Sequence, residues 1–188
     1  MLFRSATVIA SKDEEVAVAF QTVVNGPYFR VYTSSDMRGV ELGGILKNIM
    51  AIAAGAVDGL KLGQNAKSTL MTRSIQEIIR FGIANGADRE TFFGLSGFGD
   101  LITTCSSSKS RNWQVGFGLS QNKNLEDILI QLGQVAEGVK TTKIIYPLSQ
   151  EQGIEMPITT EVYRVIFEGK DPKEALKHLM SRKVKSET

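Results

Sequence analysis

The sequence has one cysteine and one histidine in 188 residues. A lone Cys105 excludes an internal disulfide and points to a reducing compartment, with the cytoplasm as the expected location. A lone His178 leaves neither a histidine-based triad nor a histidine-rich metal site to assemble, so no metal is expected. An excess of one charge is missing too. The 22 Lys and Arg face 20 Asp and Glu for a net +2, and no basic block is interleaved with aromatics. Nucleic acid is therefore not an expected partner. Long apolar runs are also absent. The most apolar stretch, residues 39–60, carries Glu41, Lys47, Asn48 and Asp58, and its longest run free of charge and amide is residues 49–57. That is too short to span a membrane. Residues 1–15 lack the apolar region of a secretory signal and soon turn acidic. There are no internal repeats and no low-complexity segment. What remains is the composition of a soluble globular protein, 42% hydrophobic and 22% charged, in a chain long enough to bury a core.

The chain opens on βαβ grammar. "SATVIAS" (residues 5–11) reads as a buried strand, "KDEEVAVAFQTVVN" as a short helix ended near Asn25-Gly26-Pro27, and "YFRVYTS" (residues 28–34) as a second strand. One such unit is too little for a doubly wound sheet, so this start resembles the tail end of an α/β domain. After Ser35 the strand signals stop. Residues 40–60 form a helix apolar almost all round, hence central. Residues 66–85 form a second, with Met71, Ile75, Ile78 and Ile79 on one face and Gly86 as its stop. Residues 92–112 read as a Gly- and Ser-rich loop with a short helix inside. Further helices are expected in "WQVGFGLSQ", in "NLEDILIQL" behind an Asn124 cap, in residues 141–153 with a kink at Pro147, in residues 157–169, and in "DPKEALKHLM" behind Asp171. The body is all-helical, with about seven or eight helices by these signals. The closing "SRKVKSET" reads as a frayed tail.

Three polar features stand out. Lys47 lies in the apolar central helix, where an unpaired ammonium is costly and desolvation lowers a lysine's pKa. It is either a general acid/base or a lysine that snorkels or pairs with a distant carboxylate. Asn48 points about 100° away and can satisfy a neighbouring backbone group. Gly43-Gly44, one turn earlier, costs about 1 kcal/mol per glycine against alanine. The pair implies close approach of either another backbone or a ligand. The third feature is "GFGDLITTCSSSKSRN" (residues 97–112), which crowds hydroxyls beside Lys109, Arg111 and Asn112. It is either a phosphate seat or a solvated loop. Asp100 within it also fits a helix cap. "GFGDLI" and "GFGLSQ" lack the third small residue of a dinucleotide fingerprint. Cys105 is expected to be a small core residue, with no histidine to activate it, and His178 to be solvated.

Three segments, "VELGGILKNIMAIAAGAVDGLKLGQNAKSTLMTR", "FFGLSGFGDLITTCSSSKSRN" and "GQVAEGVKT", together resemble the C-terminal half of bacterial-type NAD(P)-dependent glycerol-3-phosphate dehydrogenase. The likeness runs from about Ala6 to about Arg182. It implies a mainly α fold, a helical substrate domain of the 6-phosphogluconate-dehydrogenase-like type (residues 36–188), preceded by a βαβ remnant of a Rossmann domain (residues 1–35). It further implies interconversion of dihydroxyacetone phosphate and sn-glycerol 3-phosphate, the backbone precursor of phospholipids. NAD or NADP would be the cofactor, and a homodimer the common assembly. By resemblance Lys47 is the proton donor and acceptor at the C2 oxygen, buried so that its pKa can shift. Asp100, Thr104, Ser110, Arg111 and Asn112 match substrate and phosphate positions. Arg111, Val135 and Glu137 match positions that touch the cofactor.

The family's glycine-rich fingerprint and most of its Rossmann sheet have no counterpart here, and "MLFRS" does not resemble the family. Roughly 100–150 residues, one domain's worth, are expected to be missing. On this reading the chain alone lacks a pyrophosphate site, the residues that choose NAD or NADP, and dehydrogenase activity, and its two strands present open edges. The competing expectation is a non-catalytic phosphate-binding or dimerisation module built on the same domain. Retention of Lys47, Asp100, Arg111 and Asn112 weighs against it.

Overall fold

A computed structural model describes residues 5–183. The expectations for residues 1–4, and for residues 184–188 of the tail, lie outside the described residues. Strand β1 (Ser5–Ala10) pairs in parallel with β2 (Phe29–Ser34), in register from Ser5 opposite Phe29 to Ala10 opposite Ser34. A parallel pair needs a crossover, and helix α1 (Glu14–Val24) supplies it behind an Asp13 cap that accepts from the Glu15 and Val16 amides. β1 is not the buried strand its β-branched sequence predicts. Its first two residues are exposed and the rest half-buried, because among the described residues its sheet has only two strands. The expectation of open edges needs correction at β2 only. On β2, the Val31 amide donates to Asn25 Oδ1 (3.1 Å), and its carbonyl accepts from Gln21 Nε2 (2.8 Å). Side chains of α1 and its cap thus occupy part of the β2 edge.

The rest is helical. Helix α2 (Met37–Gly59) starts at Asp36, whose Oδ1 caps Gly39 N at 2.8 Å. Oδ2 of the same carboxylate accepts from Asp88 N (2.9 Å) and Thr91 Oγ1 (2.7 Å), tying the start of α2 to a segment about 50 residues further on. By length and composition α2 could cross a membrane, but here it is the core helix. Leu46, Ile49, Met50, Ala51 and Ala54 are fully buried between its neighbours. Helix α3 (Gly63–Ala84) follows and ends at Gly86, whose φ of +78° only glycine adopts readily. Residues 92–112 are not mainly loop. A 3-10 turn (Arg89–Phe93), a π turn (Leu95–Gly99) and helix α4 (Asp100–Ser106) follow one another, leaving only the extended Gly94 and residues 107–110 irregular. One of the glycines that signal a loop serves packing instead: a Cβ at Gly97 would stand 2.1 Å from the Phe92 carbonyl oxygen.

Helix α5 (Arg111–Ser120) crosses α2 so closely that glycine is required on both. A Cβ on Gly55 would lie 1.9 Å from Trp113 O, and one on Gly116 would lie 1.8 Å from Ile52 O. Helix α6 (Leu125–Leu132) has the expected Asn124 cap, and α7 (Glu137–Glu151) runs through Pro147. Helix α8 (Pro157–Phe167) begins on Glu77 of α3. This buried carboxylate accepts from Ile158 N and Thr159 N, both at 2.8 Å, and from Thr159 Oγ1 at 2.7 Å. Burial pushes the Glu77 carboxyl up, against the hydrogen bonds that favour its charge. Helix α9 (Pro172–Met180), capped by Asp171, returns His178 to α8. His178 is not merely solvated: its Nδ1 lies 2.7 Å from Oε1 of Glu161. Glu161, buried at 3% exposure, also meets Lys170 (2.5 Å) and Arg164 (3.0 Å).

Candidate active site

A cleft of about 430 Å³ opens where α2, α4, α5 and the start of α7 converge. Its floor is Gly44 and Lys47 of α2, one turn apart. A Cβ on Gly44 would meet nothing within 4 Å, whereas one on Gly43 would lie 2.4 Å from Ser96 O. The glycine pair therefore serves both alternatives the sequence left open, Gly43 for backbone contact and Gly44 for an open cleft.

Lys47 is not the isolated, desolvated lysine that its apolar helix implies. Its side chain keeps 20% exposure, and Nζ makes a salt bridge to Oδ2 of Asp100, the first residue of α4. Thr104, one turn along α4, donates to Asp100 Oδ1 at 3.4 Å. Asp100 is thus no mere cap; it is the carboxylate partner of Lys47, 53 residues away in sequence.

The opposite wall is the start of α5. Ser110 caps it, its Oγ accepting from Trp113 N at 3.4 Å, and Arg111 and Asn112 are its first two residues. Lys109 and Ser107 complete this rim. A helix start carries unpaired amides and the positive end of the helix dipole. With a guanidinium beside it, this wall suits a phosphate. Arg111 is exposed and anchored through Nη1 on Gln134 Oε1 at 3.2 Å. Trp113 fixes the helix from behind by donating to Asp58 Oδ2 (2.7 Å), an oxygen shared with buried Lys67 (2.5 Å).

Lys47, Thr104, Ser110, Arg111, Asn112 and Glu137 all line this cleft, and Asp100 adjoins it through Lys47. Val135 does not line it; it is 52% exposed on the segment leading into α7. Asn48, Thr103 and Gln134 take part and were not singled out as site residues. Asn48 was expected only to satisfy a neighbouring backbone group, as its Nδ2 does on the Gly44 carbonyl at 3.3 Å, and Gln134 carried only its adjacency to Val135. Cys105 is 1% exposed and its thiol is pushed up to about 12, chiefly by burial, so it is no nucleophile. Among the described residues no cluster of three or more metal-ligating side chains occurs.

Residues 36–177 match the family described as NAD-dependent glycerol-3-phosphate dehydrogenase C-terminus. The chain belongs to the NAD-dependent glycerol-3-phosphate dehydrogenase family. Its relatives include the glycerol-3-phosphate dehydrogenases [NAD(P)+] of Solidesulfovibrio magneticus, 50% identical over 97% of this chain and 56% of that one, and of Geobacillus thermodenitrificans, 52% identical over 97% and 54%. The crystal structure of the glycerol-3-phosphate dehydrogenase of Coxiella burnetii superposes with a TM-score of 0.92 at 39% identity, covering 96% of this chain and 55% of that chain. The Plasmodium falciparum glycerol-3-phosphate dehydrogenase superposes with a TM-score of 0.86 at 29% identity, covering 96% and 53%. This member of the family spans about half the length of the relatives it matches.

Proposed function

We propose that this chain carries the substrate-binding and proton-transfer half of an NAD(P)-linked interconversion of dihydroxyacetone phosphate and sn-glycerol 3-phosphate, the step that supplies the phospholipid backbone. The observation that carries the reading is the Lys47–Asp100 pair on the cleft floor facing the Arg111 end of α5. The substrate has the same two ends. Its phosphate goes to Arg111, Ser110, Asn112 and the α5 start. Its C2 oxygen goes to Lys47 Nζ, which gives that oxygen a proton when the carbonyl is reduced and takes one back when the alcohol is oxidised. Asp100 and Thr104 hold Nζ in direction, so that binding at both ends fixes the orientation of C2.

The cofactor, when bound, supplies hydride exchange at C2. The residues of this chain fit only its reacting end, along Arg111, Val135 and Glu137. The start of α1 does not fit its pyrophosphate: Asp13 already occupies the helix amides, and Glu14 and Glu15 add negative charge in the first turn. On this reading residues 1–35 are the end of a dinucleotide-binding sheet, and residues 36–188 form the substrate domain. Isothermal titration with sn-glycerol 3-phosphate, then with NADH, tests it. We expect the phosphate ester to bind, Arg111→Ala to abolish that binding, and NADH alone to give no heat. Failure of the wild-type chain to bind the ester overturns the proposal.

A further inference from the structure

The three cleft residues Lys47, Arg111 and Glu137 come from three helices. Each has a sequence neighbour that turns inward: Asn48 on α2, Asn112 on α5 and Gly138 on α7. These neighbours are bonded to one another. The Gly138 amide donates to Asn112 Oδ1 at 2.8 Å, Asn112 Nδ2 donates to Asn48 Oδ1 at 2.9 Å, and Asn48 Nδ2 reaches the Gly44 carbonyl at 3.3 Å. Asn48 and Asn112 are each 8% exposed, and Gly138 is buried.

We propose that this run of amides is a positioning relay, and that Asn48 is a positioning residue for any ligand that reaches from Lys47 to the phosphate wall. The inference rests on the substrate reading above and extends it to Asn48 and Gly138, which that reading leaves without a role. A backbone N–H stands at one end of the relay and a backbone C=O at the other. Those two ends fix which way both side-chain amides face, because a flipped amide would set donor against donor or acceptor against acceptor. Apolar packing between helices leaves room to slide, while a buried hydrogen bond is directional and costly to leave unmade. Since one helical residue is a rise of about 1.5 Å and a turn of about 100°, fixing Asn48, Asn112 and Gly138 fixes the Cα positions of Lys47, Arg111 and Glu137. The relay leaves no slack. A Cβ on Gly138 would stand 2.6 Å from Asn48 O and 2.8 Å from Asn112 Oδ1. Only one of the two Nδ2 hydrogens of Asn112 is used by Asn48, so the other is available to the cleft.

The relay matters only to a ligand that needs both ends of the cleft. Inorganic phosphate needs the α5 end; sn-glycerol 3-phosphate needs that end and Lys47. Isothermal titration of the full chain with each ligand, for the wild type and for Asn48→Ala, separates the two demands. We expect Asn48→Ala to weaken sn-glycerol 3-phosphate about tenfold, equal to about 1.4 kcal/mol, while inorganic phosphate stays within about twofold. Gly138→Ala, which wedges the relay from the α7 side, should produce the same split. A purely structural role would move both affinities together or neither. Equal loss of both ligands in these variants, or no loss of either, overturns the relay and leaves the substrate reading standing. A wild-type chain that binds neither ligand overturns both.

Discussion

Replacing Gly116 by alanine is the sharpest test of how the fold holds the cleft. In an isolated helix the change is favourable by about 1 kcal/mol. Here the new Cβ would stand 1.8 Å from Ile52 O, 2.7 Å from Ile52 C and 3.0 Å from Ala56 N, all backbone atoms of α2. No rotamer change can clear backbone, so α5 must retreat from α2 by roughly 1.5 Å to reach ordinary contact. That retreat loosens Val115, which is fully buried at the same crossing. Overpacking of this kind costs about 1–3 kcal/mol, occasionally more. After the helix gain is subtracted, a net loss of up to about 2 kcal/mol is expected, a fall in Tm of up to about 4–8 °C for a chain of this size. Gly44→Ala is the matched control. It lies in the adjacent helix, its Cβ would meet nothing within 4 Å, and it should raise Tm by about 2–4 °C. Thermal unfolding followed by far-ultraviolet circular dichroism reads both. If Gly116→Ala melts as high as Gly44→Ala, the close crossing of α2 and α5 is not what sets the start of α5 against Lys47.

Two further outcomes follow from the titrating groups. Burial alone would raise the Glu161 carboxyl, but hydrogen bonds and charge from Lys170 and His178 outweigh it, and the net shift is downward from the ordinary 4.5. Its stabilisation is therefore fully present above about pH 4.5 and is lost as pH falls through the lower folded value. In denaturant melts the gap between the wild type and Glu161→Gln should close in that acid window; a gap that stayed constant would sink the assignment. Cys105, with its thiol pushed up to about 12 by burial, should resist iodoacetamide at about pH 8, where an exposed thiol of pKa about 8.5 reacts. Mass spectrometry should show labelling only after denaturant is added, and labelling of the native chain would contradict the packing of α4.

Local sequence determined most of the helix ends. Asn124 and Asp171 are caps because a short side-chain acceptor there satisfies amides that the helix leaves free. Gly86, Gly133 and Gly153 stop helices because glycine adopts positive φ at little cost. The apolar run of α2 made it the core helix, and Lys47 and Arg111 were visible as residues out of place or in excess. Tertiary structure decided what local pattern cannot contain. Asp100 meets Lys47 across 53 residues, and Asn112 meets Asn48 across 64. The sequence shows that Lys47 needs a partner without showing which carboxylate it is. It shows glycines in residues 92–99 without showing that one of them, Gly97, admits the Phe92 backbone rather than forming a loop. It shows a glycine pair in α2 without telling the half that packs, Gly43, from the half that opens the cleft, Gly44. The β1 strand erred for the same reason: β-branched residues announce extended backbone, but whether another layer covers them is a property of the assembled fold. Periodicity and caps are settled within a turn or two of chain, where neighbours in sequence are neighbours in space. Charge pairing and cleft geometry arise only when distant helices meet.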